Sequence, residues 1–176
     1  MKKVLAIGGS SSRNSINKRF ATWAANELAG AEIQEVDLND YELPLYSIDK
    51  ETENGIPQEA HDFKSLIKES DGVVLSLAEH NGSFSAAFKN ITDWVSRIEK
   101  GTWADTPMLL LATSPGGRGG QGVLESAKSI MPHQGAKVTG AFSLPSFGSN
   151  FDDSGIVDTD LKSSFKEQLN AFEQAL

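Results

Sequence analysis

The sequence GGSSSRNSIN, Gly8 to Asn17, lies between a short apolar run and a helical pattern, and the rest of the chain is organised around it. The apolar run Val4–Ile7 predicts a buried strand, and a helix is predicted to begin near Ile16. The glycines permit a tight backbone bend, while serine and asparagine side chains offer hydrogen-bond donors. Together with the free N–H groups of a helix N-terminus, such a turn suits a phosphate group. The alternative is an ordinary helix start capped by Ser or Asn.

Arg13 adds to this turn a planar guanidinium that can bind phosphate oxygens in pairs. Two common nucleotide motifs do not fit. A Walker loop requires Gly-Lys-Ser/Thr at its end, and no Gly-Lys follows Gly8 or Gly9. A dinucleotide fingerprint requires Gly-x-Gly-x-x-Gly, where this chain has Gly-Gly-Ser-Ser-Ser-Arg. The turn therefore belongs to neither class.

The composition limits the functions to consider. The 176 residues, 39% of them hydrophobic, predict a single domain over residues 1–176. Because cysteine is absent and the three histidines lack a paired-ligand spacing, no disulfide, thiolate catalysis or metal site is predicted. The net charge of −8 argues against nucleic acid as a partner. The first apolar run ends at Ile7, too early for a signal peptide, and no segment reaches membrane-spanning length, so we expect a cytoplasmic protein without a membrane partner.

Apolar runs alternate with helical patterns five times along the chain. Strands are predicted near residues 3–8, 32–37, 72–77, 107–113 and 137–143, and helices near 15–29, 57–69, 84–99, 120–131 and 158–175. Two of the strands are almost continuously apolar, which is typical of a parallel sheet covered on both faces. We therefore predict an α/β fold of the flavodoxin-like class, a three-layer sandwich with helices on both faces of a five-stranded parallel sheet of order 2-1-3-4-5. The segment 40–57 is predicted to be a surface loop.

Ligands of such sheets bind beyond the carboxyl ends of the strands, where the loops after strands one, three and four meet. The loop after strand three, Ala78–Ser85, contains Asn81-Gly82, which permits positive φ and can turn a peptide N–H toward a ligand. Ser83 or Ser85 can cap the helix that follows. The alternative is a plain turn with a cap.

The loop after strand four, Thr113–Gly122, is rich in glycine. It satisfies Gly-x-Gly-x-x-Gly literally, but it follows the wrong strand and lacks an acidic residue about 20 positions later. Close approach of the backbone to a flat ligand explains the glycines better, and a floppy surface loop is the alternative. A phosphate site on the first loop and glycine-lined edges on the other two indicate a phosphate tail and a planar head. FMN fits that description.

At these residues the chain resembles the NADPH-dependent FMN reductase family, the flavodoxin-like group that includes azoreductases and small quinone and chromate reductases. The family's phosphate motif, Gly-Ser-x-Arg-x-x-Ser-x-Asn, is matched at Gly9, Ser10, Ser15 and Asn17, with Arg13 one place late and Ser12 in the arginine position. Its second motif, Pro-Glu-Tyr-Asn-x-Ser followed by Leu-Lys-Asn-x-x-Asp-Trp, appears as Ala78–Ser83 and Phe88–Trp94, with departures at Ala78 and His80.

The resemblance implies a role for each loop. In the first loop, Ser10, Ser15 and Asn17 would hold the FMN phosphate, with Arg13 or Ser12 assisting, and Ile16 would belong to the same cofactor site. The second would lie along the isoalloxazine edge with Glu79, His80, Asn81 and Gly82. The third would contribute Ser114, Pro115, Gly116 and Gly117, the two glycines facing the pyrimidine side. His80 is alternatively a loop histidine with a satisfied hydrogen bond. Arg118 either attracts the 2′-phosphate of NADPH or, as we predict, is a solvated arginine.

The resemblance also implies an FMN-dependent enzyme that passes hydride from NADPH or NADH to a small-molecule acceptor, a quinone, an azo compound or free flavin, in a ping-pong sequence. No side chain is assigned a catalytic role. A homodimer or homotetramer is implied, with the helix that carries Trp94, and Trp103 beyond it, as candidate subunit contacts. Phe147 and Phe151 either shape the acceptor side or simply pack. The alternative is a flavodoxin-like electron carrier without NAD(P)H turnover. A receiver domain is set aside because Gly8-Gly9 and Ser76-Leu77 stand where it needs acidic residues.

Overall fold

The structure, a computed structural model, describes residues 1–176. Its elements in chain order are β1 (Lys2–Gly9), α1 (Ile16–Asn26), β2 (Ala31–Val36), α2 (Ile48–Asn54), α3 (Gln58–Glu69), β3 (Gly72–Leu77), β4 (Glu79–His80), β5 (Ser83–Phe84), α4 (Ala86–Val95), β6 (Pro107–Thr113), α5 (Gln121–Ile130), β7 (Lys137–Leu144), α6 (Phe147–Asn150), β8 (Phe151–Asp152), β9 (Gly155–Ile156) and α7 (Thr159–Glu173). Five strands form one parallel sheet of order β2-β1-β3-β6-β7, which confirms the predicted order.

The sheet separates two hydrophobic cores. Because successive side chains of a strand point to opposite faces, Leu5 and Ile7 enter one core while Val4 and Ala6 enter the other. Helices α3, α4 and α5 cover the first core, and α1 and α7 cover the second. This arrangement confirms the three-layer sandwich. No helix of the chain combines the length and the apolar character needed to cross a membrane.

The segment 40–57 differs from the predicted surface loop because it contains α2, which begins after the N-cap Ser47. Side chains of α4 fix the residues before this helix. The Asn90 side-chain amide donates to the carbonyls of Leu43 and Pro44, and its oxygen accepts from the N–H of Tyr46. Backbone groups of the segment are therefore bound by a side chain of α4.

Trp94 and Trp103 are core residues, so the prediction of Trp103 as a subunit contact is wrong, while the helix that carries Trp94 stays a candidate contact. Their exposed fractions are 1% and 0%, and both belong to the core beneath α3, α4 and α5. The indole N–H of Trp94 donates to the carbonyl of Pro44 at 2.7 Å, which adds to the attachment of that segment. Trp103 packs against Phe88 with nearly parallel rings. Helix α4 ends at Val95, earlier than predicted, and the chain beyond it returns Trp103 to the core.

Side chains lie at the free edges of both outer strands of the sheet. At β7, the N–H of Ala141 donates to Gln168 Oε1 of α7 at 3.1 Å. A Cβ on Gly140 would lie 2.6 Å from the carbonyl oxygen of Gln168, which shows how closely α7 approaches the strand. At the other edge, β2 exposes Glu32 and Glu35.

Candidate cofactor site at the carboxyl end of the sheet

A cleft of about 270 Å³ lies beyond the carboxyl ends of β1, β3 and β6, where the switch in strand order predicts a ligand. It is lined by residues of all three predicted loops: Ser10, Ser12, Asn14, Ser15, Ile16, Asn17, Ala78, Glu79, His80, Thr113, Ser114 and Pro115. The fold thus brings together segments that lie about a hundred residues apart in the sequence.

The remaining predicted residues lie outside the lining of this cleft. Arg13 lines a neighbouring cleft of about 610 Å³, together with residues of α1 and β8. Asn81 and Gly82 form the tip of the hairpin that Glu79 begins. Gly116 and Gly117 form an exposed part of the third loop. The cleft wall is therefore made by the hydroxyl-rich turn, the base of the hairpin and the first residues after β6.

The first loop is positioned by the close approach of α1 to β1. A Cβ on Gly8 would lie 2.5 Å from the Cα of Lys18, so the helix passes directly over the end of the strand. Ser15 caps α1 by accepting the N–H of Lys18 at 3.1 Å, and Ser10 accepts the N–H of Ser12 at 3.1 Å. Both hydroxyls act here as acceptors, which leaves their protons available to a ligand.

The first loop is also rich in backbone donors that have no partner within the chain. The N–H groups of Ser11, Arg13, Asn14, Ile16 and Asn17 make no hydrogen bond to any protein group. Such donors at the start of a helix, reinforced by the helix dipole, form an anion-binding site. The residues present fit a phosphate group.

Asn17 has a role that the sequence did not predict. Its side chain is 3% exposed and joins three elements. Its amide donates to the carbonyl of Thr113 at 3.1 Å, and its oxygen accepts from the N–H of Thr113 and from the hydroxyl of Ser76. Asn17 therefore fastens the start of α1 to β3 and β6, and only its second amide hydrogen is left for a ligand. Its contact with a phosphate stays a prediction.

The second loop is a β-hairpin in which β4 pairs with β5. Its two-residue turn has Asn81 at φ 52° and Gly82 at φ 75°, which confirms the positive φ expected of Asn-Gly and is typical of a type I′ turn. Ser85, rather than Ser83, caps α4 by accepting the N–H of Phe88. The Ser85 hydroxyl also donates to the carbonyl of Gly9 at 2.8 Å, so this cap joins the second loop to the first.

Glu79 connects the second loop to the third. Its carboxylate accepts the N–H of Val123, in the first turn of α5, at 2.8 Å. The N-cap of that helix is Gly120, which has no side chain to satisfy these groups. The sequence predicts Glu79 beside the flavin and does not reveal this contact, although the start of α5 without a capping side chain was the available signal.

Two glycines of the third loop, Gly116 and Gly117, have free space around their Cα atoms. A Cβ on Gly116 or Gly117 would meet no atom closer than 3.9 Å, so packing within the chain does not require glycine there. The absence of side chains leaves the peptide groups accessible to a flat ligand, as the predicted pyrimidine side would need. The loop is held from beneath, because Ser146 N–H donates to the carbonyl of Gly116 and Phe147 N–H to that of Ser114.

Residues beyond this loop take ordinary structural roles. Arg118 is exposed and forms no ion pair, as expected of a solvated arginine. Phe147 and Phe151 are buried, with stacked rings whose centroids are 4.7 Å apart; neither lines this cleft, and Phe151 lines the neighbouring one. The guanidinium of Arg19 lies over both rings and is paired with Asp153 at 2.7 Å.

Comparison with known proteins agrees with the chemistry of this cleft. The model of the family described as NADPH-dependent FMN reductase matches residues 2–148. The NADPH:quinone oxidoreductase of Arabidopsis thaliana is 31% identical over 123 residues, which cover 68% of this chain and 61% of that protein. A quinone reductase of Pseudomonas putida is 32% identical over 161 residues, covering 86% of this chain and 82% of that protein. The alignments thus span about three fifths of the first relatives and more of the Pseudomonas protein.

Solved structures share the fold. The flavoenzyme NAD(P)H:(acceptor) oxidoreductase FerB from Paracoccus denitrificans superposes with a TM-score of 0.76 at 24% identity, covering 99% of this chain and 96% of that chain. An FMN-dependent NADH-azoreductase from Bacillus anthracis, solved in complex with FMN, superposes with a TM-score of 0.63 at 15% identity, covering 99% of both chains. These similarities extend over the whole sandwich.

Proposed function

Because the chain belongs to the NADPH-dependent FMN reductase family, we propose that it is an FMN-dependent NAD(P)H oxidoreductase that reduces a quinone, an azo compound or free flavin. The observation that carries this proposal is the donor-rich first loop, which shares one cleft with the base of the hairpin and the start of the third loop. The names of the relatives, which include quinone reductases and an NADPH azoreductase, support the choice of acceptors.

In this proposal the first loop holds the FMN phosphate. The hydroxyls of Ser10, Ser12 and Ser15 donate to its oxygens, as do the unpartnered N–H groups that begin with Ser11. Arg13, which lines the neighbouring cleft beside Asn14 and Ser15, contributes positive charge near the phosphate. Ile16 and Asn17 form the first turn of the helix whose dipole favours the anion.

The other two loops flank the ring. The hairpin Glu79–Gly82 borders one edge, and Ser114–Gly117 borders the pyrimidine side. The bound flavin supplies hydride transfer between the nicotinamide and the acceptor. The N–H groups of Gly116 and Gly117 have no partner within the chain and would stabilise negative charge on the ring. No side chain is assigned a catalytic role. The nicotinamide and the acceptor use the same open side in turn, which gives ping-pong kinetics.

We also propose that the protein is a cytoplasmic homodimer or homotetramer whose partner in turnover is a small-molecule acceptor. The absence of cysteine supports a reducing compartment. Leu45 and Ile48 support self-association, since they are 73% and 57% exposed on a segment fixed to α4. Replacing both with aspartate should shift the mass measured by light scattering toward the monomer. An unchanged mass would rule out this surface as the contact.

The experiment that tests the function is a flavin titration followed by reduction. Purified protein should quench FMN fluorescence saturably, and it should bind riboflavin more weakly because riboflavin lacks the phosphate. Adding NADPH or NADH without oxygen should bleach the visible absorption, and a quinone should restore it. Binding without bleaching by either nucleotide would favour an electron carrier, and absence of flavin binding would refute the proposal.

A further inference from the structure

The carboxylate of Glu79 is seated on the first turn of α5. Besides the hydrogen bond from Val123 N–H at 2.8 Å, its oxygens lie against Gly122, where a Cβ would be 2.9 Å from Oε2 and 3.4 Å from Oε1. A side chain at position 122 would therefore displace the carboxylate. The helix itself starts after Gly120, which adopts the left-handed conformation at φ 76° and caps nothing.

In this contact, a residue distant in sequence places negative charge against the partial positive charge of the first turn of α5. The first N–H groups of a helix have no internal acceptor, and the helix dipole places partial positive charge there, so a carboxylate is stabilising. Glu79 is 44 residues from Val123 and belongs to the β4–β5 hairpin. Its cap consequently fixes the hairpin relative to α5.

The glycine-rich loop is also connected to the Glu79 cap, because the loop leads directly into the first turn of α5. Gly119 N–H donates to the carbonyl of Gly116, and Gln121 N–H donates to that of Arg118, so the loop turns through two successive short-range bonds. The first turn of α5 is thereby linked to Gly116, whose carbonyl also accepts the N–H of Ser146. The Glu79–Val123 contact thus joins the hairpin to the glycine-rich loop, the two segments proposed to flank the flavin ring.

We propose that Glu79 is a positioning residue whose carboxylate sets the separation of these two segments and thereby the affinity for the flavin ring. This inference rests on the proposed function. Glu79 acts on the ring through α5, since one carboxylate oxygen is occupied by Val123 and both lie against Gly122.

The negative charge of Glu79 allows a direct effect on the ligand to be distinguished from a clamp. Glu79 is the one acidic residue that lines the cleft. If its negative charge acted directly on the ligand, its removal would strengthen the binding of FMN, which is an anion. If it acts as a clamp, its removal weakens binding. Because the clamp concerns the ring, riboflavin should be weakened as much as FMN.

The test compares Glu79→Gln, Glu79→Ala and the control Glu125→Ala by fluorescence titration with FMN and riboflavin. Glu125 is an exposed acid on α5 that contacts only Gln121 and Lys128 of the same helix. Glu79→Ala should weaken both flavins by about tenfold, the effect of losing one cap, while Glu79→Gln keeps the acceptor and stays within about threefold of the native protein. Glu125→Ala should leave both affinities unchanged.

A second readout works without flavin. Hydrogen exchange of the Val123 amide should be faster in Glu79→Ala than in the native protein and unchanged in Glu79→Gln. If Glu79→Ala does not fold, Gly122→Ala makes the same test, because it displaces the carboxylate while leaving Glu79 in place. Undiminished flavin binding by Glu79→Ala, or equal weakening by Glu79→Gln, would overturn the proposal. If the native protein binds no flavin, the proposed function fails, and the exchange of Val123 alone then decides whether the clamp exists.

Discussion

Asn17 and Thr113, which are 96 residues apart in the sequence, are joined by two reciprocal hydrogen bonds. The Asn17 amide donates to the Thr113 carbonyl at 3.1 Å, and the Thr113 N–H donates to the Asn17 side-chain oxygen at 3.1 Å. The hydroxyl of Ser76 donates to the same oxygen at 2.8 Å. One carboxamide thus connects the helix after the first loop with the last residue of β6 and with β3.

Replacing Asn17 with alanine should lower the free energy of unfolding by about 2–4 kcal/mol, because the Thr113 N–H and the Ser76 hydroxyl lose their buried partner. Urea unfolding measures the change. Asn26→Ala is the matched control, since Asn26 is exposed and bonds only within its own helix, and it should change stability by less than about 0.5 kcal/mol. Equal stability of Asn17→Ala and the native protein would contradict the cross-link.

Ser15 and Ser47 are both N-caps whose hydroxyls accept a backbone N–H, so each change to alanine should cost about 1 kcal/mol of stability. Only Ser15 lies in the candidate cleft. Ser15→Ala should therefore weaken FMN binding by about tenfold or more while leaving riboflavin affinity unchanged, since the lost bond is to the phosphate. Ser47→Ala should bind both flavins normally. Equal weakening of FMN and riboflavin by Ser15→Ala would indicate distortion of the loop instead.

Gly8→Ala should destabilise the fold by about 2–3 kcal/mol, because the added methyl group would overlap the backbone of α1 at Lys18. Thermal and urea unfolding report this loss. Gly148→Ala is the control glycine, since no atom lies within 4 Å of its Cβ position, and it should be neutral or slightly stabilising. Native-like stability of Gly8→Ala would show that α1 can move away from β1.

The pair Lys18–Asp37 predicts a pH-dependent contribution to stability. The hydrogen bond from Lys18 holds the pKa of Asp37 below its usual value, and the same bond raises the pKa of Lys18. Asp37 therefore stabilises the fold above the unfolded carboxyl pKa of about 4, and this contribution is lost as the pH falls through the lower folded value. The contribution of Lys18 is present below the unfolded amine pKa of about 10.4 and is lost as the pH rises through the higher folded value.

Asp37→Asn should consequently cost about 1 kcal/mol at pH 7, since both side chains are partly exposed, and close to nothing near pH 2. Urea unfolding at the two pH values measures the difference. Asp93→Asn, which removes only an exposed pair within α4, is the control and should have a smaller effect at pH 7. A cost of Asp37→Asn that persists undiminished in acid would contradict the assignment.

Strands β1, β3 and β6 were predictable because each one contains a distinct apolar run between turn residues. Strands β3 and β6 are buried almost throughout, and their predicted limits, 72–77 and 107–113, agree with the structure. The order of the sheet followed from the alternation with helices. Helix α2 was missed because none of its residues is buried, so it has no apolar periodicity.

The site was predictable at the level of loops and less so at the level of side chains. The switch in strand order brings Ser10, His80 and Ser114 to one cleft whatever their neighbours are. The position of Arg13 depends on how closely α1 crosses β1, and the partner of Glu79 lies 44 residues away on another element. Such tertiary contacts leave no periodic trace in the sequence.

The two outer strands determine how copies of this chain can meet. An open strand edge offers a row of unpaired backbone groups that can extend a sheet from one molecule into the next. Here Gln168 occupies a backbone donor of β7, and β2 exposes Glu32 and Glu35, whose charges would oppose each other in a continuous sheet. Association by strand addition, and with it growth into fibres, is thereby disfavoured at both edges. Any assembly of this protein is left to its helices and loops.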